Sequence, residues 1–199
     1  VEGGLVIISA DDPSMHSSQN EQDNRNYARA AKVPMLQPAT SQEARDMTMR
    51  GFEISEEFDT PVFVRPVTRI CHSDGLVEVG ERQEHPLRGD MEKQPEKFVM
   101  VPAHARKRRV VMAERTRRLI EFAEETDLNR EEMGDTSLGI IASGISYEYA
   151  KEVFPEASFL KLGLVWPLPP EKIRQFAEKV DRLYVVEELD PYLTDQVLA

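Results

Sequence analysis

Leu5-Val6-Ile7-Ile8-Ser9-Ala10-Asp11-Asp12-Pro13-Ser14-Met15-His16-Ser17-Ser18-Gln19-Asn20-Glu21-Gln22-Asp23-Asn24-Arg25 is the stretch whose reading decides the fold. Its first four residues form an apolar run of the kind presented by a strand buried on both faces. About fifteen residues with almost nothing to bury follow. Ser18 and Glu21 stand at capping-box spacing, which predicts a helix from about Gln19 to Ala31. A buried strand that runs into carboxylates, hydroxyls, amides and a histidine, and then into a helix, is how open α/β sheets present a ligand site. Such sites lie outside the carboxyl ends of the parallel strands. The plainer alternative is a solvated surface loop. That reading favours Lys, Glu and Gly over Ser-Ser-Gln-Asn beside a histidine, so the composition points to a site.

Working outward, Val33-Pro34-Met35-Leu36 reads as a short strand that Pro34 confines to a sheet edge or a strand start. Thr40 and Glu43 repeat the capping-box spacing. Ala44, Met47, Gly51, Ile54 and Phe58 then recur at three- and four-residue steps, which predicts a helix over about 41–58. Pro61 to Arg65 reads as a third strand. The first 70 residues are therefore β-α-β-α-β, a pattern that builds parallel sheets with right-handed crossovers.

From Cys71 to about Pro102 the pattern lapses, punctuated by Gly75, Gly80, Pro86, Gly89 and Pro95, and only 76–79 and 98–101 look extended. This reads as a connector laid across the surface. A long helix is expected over about 103–125, with Met112, Thr116, Leu119, Ile120 and Ala123 as its apolar stripe. Arg106-Lys107-Arg108-Arg109 sits near its start and Glu121, Glu124 and Glu125 near its end, the reverse of what the helix dipole prefers. The basic cluster reads either as a phosphate or RNA patch or as a partner for acidic neighbouring surface. Without interleaved aromatics the second reading is favoured.

Leu138 to Ala142, Phe159 to Leu164 and Leu183 to Val186 are expected strands of a second unit. One helix runs to about Phe154, a second carries Pro170 in its first turn, and a last one follows Asp190-Pro191. The fold class is thus α/β: two small parallel-sheet units, at 1–70 and 134–199, joined by a connector and helix over 71–133.

The 199 residues carry a formal charge of −11, which disfavours nucleic-acid binding through bulk charge. No apolar run reaches the roughly 18 residues of a membrane span. The single cysteine, Cys71, excludes an internal disulfide framework and a cysteine cluster for iron–sulfur within this stretch, and points to a reducing, cytoplasmic setting. The chain starts at Val1 without an initiator methionine, so it is expected to be an excerpt of a longer polypeptide.

Four chemistries can be weighed from residues alone. Asp11, Asp12, His16 and Asp23 could ligate a hard cation, but Asp-Asp-Pro is more often a turn. Cys71-His72 fails as a nucleophile pair, because the base usually comes from elsewhere in the fold. Glu187 and Glu188 point to opposite faces of a strand, so at most one serves any given site. Ser143-Gly144 lacks the further glycines of a phosphate loop and reads as a tight connection.

The stretch Asp11 to Arg25 closely resembles the alpha subunits of indolepyruvate:ferredoxin oxidoreductases, within the 2-oxo acid:ferredoxin oxidoreductase family. Ser41-Gln42-Glu43-Ala44 leading to Pro61-Val62, then Arg65-Pro66-Val67-Thr68-Arg69, and Val185-Val186-Glu187-Glu188-Leu189 match the same family in order. The resemblance covers essentially the whole chain.

What it implies is a thiamine-diphosphate enzyme that oxidatively decarboxylates aryl 2-oxo acids such as indolepyruvate, with acyl transfer to coenzyme A and electrons passed to ferredoxin. Residues 1–70 resemble the later half of a pyrimidine-binding domain, and 134–199 a transketolase C-terminal-like domain. The polar loop also resembles the Asp-Gly-Pro-Thr-His-Gln type loop of transketolase-like enzymes. By that likeness His16 is the catalytic pocket histidine, with Asp12, Ser17, Ser18, Gln19 and Gln22 binding substrate or cofactor; Met15 and the extra serine depart from the pattern.

Decarboxylation builds charge and then discharges it, and neutral imidazole and hydroxyl donors can stabilise that charge. The resemblance also implies Mg2+ and 4Fe-4S clusters in the full-length enzyme, held by residues outside this chain. The implied partners are a beta subunit, a second alpha copy, ferredoxin and coenzyme A, with no nucleic acid and no membrane. On this reading the excerpt alone is inactive, and its half-sheet invites self-association. Another 2-oxo acid oxidoreductase, a transketolase-like enzyme, or an interaction module using Arg106 to Arg109 are the alternatives.

Overall fold

A computed structural model describes residues 3–82 and 92–199. Pro86 and Gly89, two of the connector's expected breaks, lie outside the described residues. Two four-stranded sheets organise the rest. The first runs β1 (Val6–Ile8), β3 (Val62–Val64), β2 (Met35–Leu36), β7 (Leu164–Trp166); the second runs β4 (Asn129–Glu132), β6 (Ala157–Leu162), β5 (Asp135–Ala142), β8 (Leu183–Val186). β1, β3 and β2 are parallel, as are β6, β5 and β8. β7 and β4 each add one antiparallel edge.

The strongest local signals produce the expected elements. Helix α2 spans Ser41–Phe58, its Thr40 side chain accepting the Glu43 N–H at 3.1 Å. Met47, Ile54 and Phe58 are buried against Val62 and Val64, with Leu119 and Ala123 of α5 (Pro102–Glu125) completing that core. Helix α3 is a single turn, Thr68–Cys71, and α4 another, Pro95–Phe98. In the second unit, α6 (Gly144–Val153), α7 (Pro170–Ala177) and α8 (Tyr192–Val197) follow, with Pro170 in the first turn of α7 as expected. Residues 76–79 and 98–101 form no strand.

Two expectations are corrected, and one of two alternatives is selected. β1 is not buried on both faces: among the described residues it lies at the sheet edge with only β3 beside it, and Leu5, Ile7 and Ile8 are 37–55% exposed. β2 is interior, between β3 and β7, so Pro34 marks a strand start and not an edge. The first helix, α1, covers Arg25–Ala31 and leaves the polar loop longer than predicted. Ser18 caps nothing: the Asp12 carboxylate takes its N–H, and Asn24, which precedes α1, donates its own N–H to Asp11 Oδ2 at 2.8 Å.

The two units are joined by a buried ten-residue stretch, β6-Gly163-β7, in which β6 belongs to one sheet and β7 to the other. A Cβ on Gly163 would lie 2.4 Å from the Leu128 carbonyl oxygen, so a glycine is needed at this crossing. The core around it contains Met35 of β2, Leu160 and Leu162 of β6, Val165 and Trp166 of β7, and Phe176 of α7. β4, with the sequence Asn-Arg-Glu-Glu, has no apolar alternation to betray it. Pairing with the buried β6 alone makes it a strand.

Candidate functional site

Backbone pairing continues past β1 and β3. The Asp11 N–H donates to the Pro66 carbonyl at 3.0 Å and the Thr68 N–H to the Asp11 carbonyl at 2.9 Å. The polar loop and α3 therefore leave the carboxyl ends of two neighbouring parallel strands side by side, where open α/β sheets place ligands. β8 ends nearby and delivers Glu187 and Glu188.

Asp12 is buried and organises the loop. Its carboxylate accepts the N–H groups of His16 (3.0 Å), Ser17 (2.8 Å) and Ser18 (2.5 Å) and the Thr68 hydroxyl (2.7 Å). The Thr68 hydroxyl foremost, with those backbone donors, holds this carboxyl well below the usual carboxylate range. Ser14 and Met15 take left-handed φ values of 69° and 53°, turning the chain so that three successive N–H groups converge on one carboxylate.

Behind the loop lies a buried charge network. Arg65 donates from Nε to Asp11 Oδ2 at 2.5 Å. Arg25 grips Asp23 at 2.8 and 2.6 Å, Glu187 Oε2 at 2.7 Å, and the carbonyls of Glu188 and Asp190 at 2.9 and 3.0 Å. Glu187 in turn accepts the N–H groups of Leu193 and Thr194 in the first turn of α8. One guanidinium thus ties the polar loop to the end of the second unit.

A cavity of about 300 Å³ opens in front of this network, lined by Pro13, His16, Thr68, Arg69, Tyr149 and Glu188 among others. Arg69 Nε donates to the Tyr149 hydroxyl at 2.9 Å, joining α3 to α6 across the cavity. Glu188 Oε2 is buried without a hydrogen-bond partner among the described residues, and so is Arg65 Nη2. Burial pushes the Glu188 carboxyl above its ordinary range. Glu187 and Glu188 divide their work as a strand end dictates, one capping α8 and the other facing the cavity.

Of the residues singled out by sequence, His16 lines the cavity and Asp12 holds the loop that carries it. Ser17 and Ser18 are fixed through their backbone, and Ser17 and Gln19 are exposed while Gln22 is half-buried; these four do not line the cavity. Thr68, Arg69, His72, Ser73 and Tyr149 were not anticipated. Only the Arg65 to Arg69 motif hinted at them, and Tyr149 comes from a helix 80 residues away. Ser143-Gly144 is a tight connection: Gly144 has φ +52°, and a Cβ there would sit 2.6 Å from Gln37 Nε2. Arg106, Lys107 and Arg109 are exposed, while Arg108 reaches Asp59 at 3.6 Å.

The family profile described as "Pyruvate flavodoxin/ferredoxin oxidoreductase, thiamine diP-bdg" matches residues 10–133. The curated protein "Indolepyruvate oxidoreductase subunit IorA" of Methanothermobacter marburgensis is 43% identical over 205 residues, covering 100% of this chain and 33% of the relative. The protein of the same name from Archaeoglobus fulgidus is 42% identical over 202 residues, covering 99% and 32%. The chain spans about a third of the length of the curated relatives it matches. Among solved structures, a 2-oxoglutarate:ferredoxin oxidoreductase from Magnetococcus marinus superposes with a TM-score of 0.65 at 12% identity, over 97% of this chain and 43% of that one, a likeness of fold.

Proposed function

We propose that this chain, which belongs to the pyruvate flavodoxin/ferredoxin oxidoreductase family in its thiamine-diphosphate-binding part, is a section of an alpha subunit that oxidatively decarboxylates aryl 2-oxo acids such as indolepyruvate. The observation that carries the reading is the placement of His16. A carboxylate-organised loop sets it over a cavity at the carboxyl ends of β1 and β3, within the stretch the family profile covers. Over the whole chain, relatives named indolepyruvate oxidoreductase subunits support the choice of substrate.

The donor set fits one side of such a site. His16 and Arg69 can receive the carboxylate and oxo group of the substrate, while the Thr68 hydroxyl is spent on Asp12 and Tyr149 lines the same space. Glu188, with a buried unpaired oxygen facing the same space, can hold or release a proton. Pro13 and Val67 add apolar surface to the cavity lining. When bound, thiamine diphosphate supplies the electron sink for decarboxylation. Among the described residues no group of three His, Cys, Asp or Glu side chains could hold a metal ion. We assign the Mg2+ and the 4Fe-4S clusters, which the family resemblance implies, to other parts of the enzyme.

In this reading residues 1–70 are the later half of the pyrimidine-binding domain, 71–133 the connector, and 134–199 a transketolase C-terminal-like domain. A beta subunit, a second alpha copy, ferredoxin and coenzyme A complete the reaction. No helix among the described residues is long and apolar enough to cross a membrane. The test is coenzyme-A-dependent reduction of ferredoxin by the complete enzyme with indolepyruvate as donor. His16→Ala is expected to lower turnover by about tenfold or more, the scale of one positioned donor. Unchanged kinetics in that variant removes His16 from the site, and a wild-type enzyme indifferent to indolepyruvate overturns the substrate assignment.

A further inference from the structure

We infer that the cavity takes up its anionic carboxylate ligand together with a proton, and that Glu188 is the group that receives the proton. The inference rests on the function proposed above, since it concerns how that site accepts a 2-oxo acid.

Glu188 leaves the end of β8 and shares the cavity wall with His16, Arg69 and His72, the groups that suit an anion. Its own side chain is an obstacle to one. Two carboxylates within one small site cannot both stay ionised without a large repulsion, and the inexpensive remedy is to protonate one of them.

The charges around Glu188 do not remove that obstacle. Arg65 exerts the strongest downward pull of these charges, but it pairs through Nε with Asp11 and its Nη2 makes no hydrogen bond to Glu188. Arg25 also draws the Glu188 carboxyl down, yet its donors are taken by Asp23, Glu187 and the carbonyls of Glu188 and Asp190. His16 adds attraction and Asp11 repulsion. Burial, the largest influence, already pushes the Glu188 carboxyl upward, so it is poised to bind a proton when a second negative charge arrives. Once protonated, its O–H can donate to the incoming carboxylate. The balance is one proton from solvent for each ligand bound, with no change in covalent bonding elsewhere.

The test uses the complete enzyme and indole-3-propionate, an aryl carboxylate that lacks the reactive oxo group. Calorimetry in buffers of different ionisation enthalpy counts the protons taken up on binding. Wild type is expected to take up close to one proton, with affinity weakening by up to about tenfold per pH unit above neutrality. Glu188→Gln is expected to take up fewer protons and to bind the probe more tightly than wild type at pH 8, the difference narrowing as pH falls. Histidine titration also links anion binding to protons, and the glutamine variant separates the two sources because it keeps His16 and His72.

Equal uptake in wild type and Glu188→Gln assigns the proton to histidine and overturns the inference. So does an absence of proton uptake in wild type, a result that stands even where the variant fails to fold. Turnover of indolepyruvate with no Glu188-dependent proton leaves the proposed function standing. An enzyme that neither binds the probe nor turns over indolepyruvate overturns both.

Discussion

Replacing Arg25 by methionine tests the link between the polar loop and the second unit most directly. The side chain is 1% exposed, stacks on the Tyr192 ring at 5.0 Å, and donates to two carboxylates and two carbonyls that lie 162 to 165 residues away or within the loop. Methionine keeps much of the volume and removes the cation and its side-chain donors from these acceptors. Breaking a buried ion pair by removing one partner costs about 3–5 kcal/mol. Glu187 retains its hydrogen bonds from Leu193 and Thr194, which places the expected loss at the low end, about 3 kcal/mol. For a chain of 199 residues that corresponds to a fall in midpoint of about 6–12 °C.

Thermal unfolding followed by circular dichroism, with urea titration for the free energy, measures it. Arg25→Lys keeps a charge but loses the fork that grips Asp23 at two points, so it is expected to recover only part of the loss. Because the pairs are dry, the loss should persist in 1 M NaCl, where exposed pairs are screened out. A midpoint within about 2 °C of wild type, or a difference abolished by salt, refutes the claim that this guanidinium holds the units together.

Acid unfolding checks the same network through linkage. Burial alone would raise the Asp23 carboxyl, but the hydrogen bonds and charge of Arg25 outweigh it and hold the group below its ordinary value of 3.8. The stability so gained is present above that value and lost as pH falls through the lower folded value, so Arg25→Met should move the acid midpoint to higher pH. Glu188 has the opposite sign. Its raised carboxyl favours the folded state below its ordinary value of 4.5 and costs stability as pH rises through the folded one, so Glu188→Gln should gain stability at pH 7 relative to pH 4. Thr40→Ala removes the α2 cap and should cost about 1 kcal/mol in urea titrations, with an unchanged slope. Gly163→Ala, whose Cβ meets the Leu128 carbonyl, should cost about 1–3 kcal/mol or more by the same measure.

Helix α2 was legible from sequence to the residue because its determinants are local: a cap three residues from its partner, and apolar side chains one turn apart. The same holds for β8 and for the proline that opens α7, while α5 begins one residue earlier than expected, at Pro102. Sequence also showed that a polar loop follows a short strand, and that His16 belongs to whatever that loop does.

The loop's shape escaped a local reading. Ser18-Glu21 has the form of a cap, but a buried carboxylate six residues back takes the Ser18 N–H, and the Glu21 carboxylate accepts the Ser14 N–H instead. A two-residue β2, a strand of Asn-Arg-Glu-Glu, and a glycine that passes the chain from one sheet to the other all owe their conformation to neighbours distant in sequence. The cavity is decided at that level too. His16, Arg69, Tyr149 and Glu188 lie on four separate elements, and only the closing of the chain around the Arg25 and Arg65 network brings them to one wall. Propensity and capping act over a few residues, whereas the pairing of buried charges depends on which distant segments fold against each other. Sequence therefore determined the elements and the chemical character of the loop, and tertiary structure decided which side chains share the site.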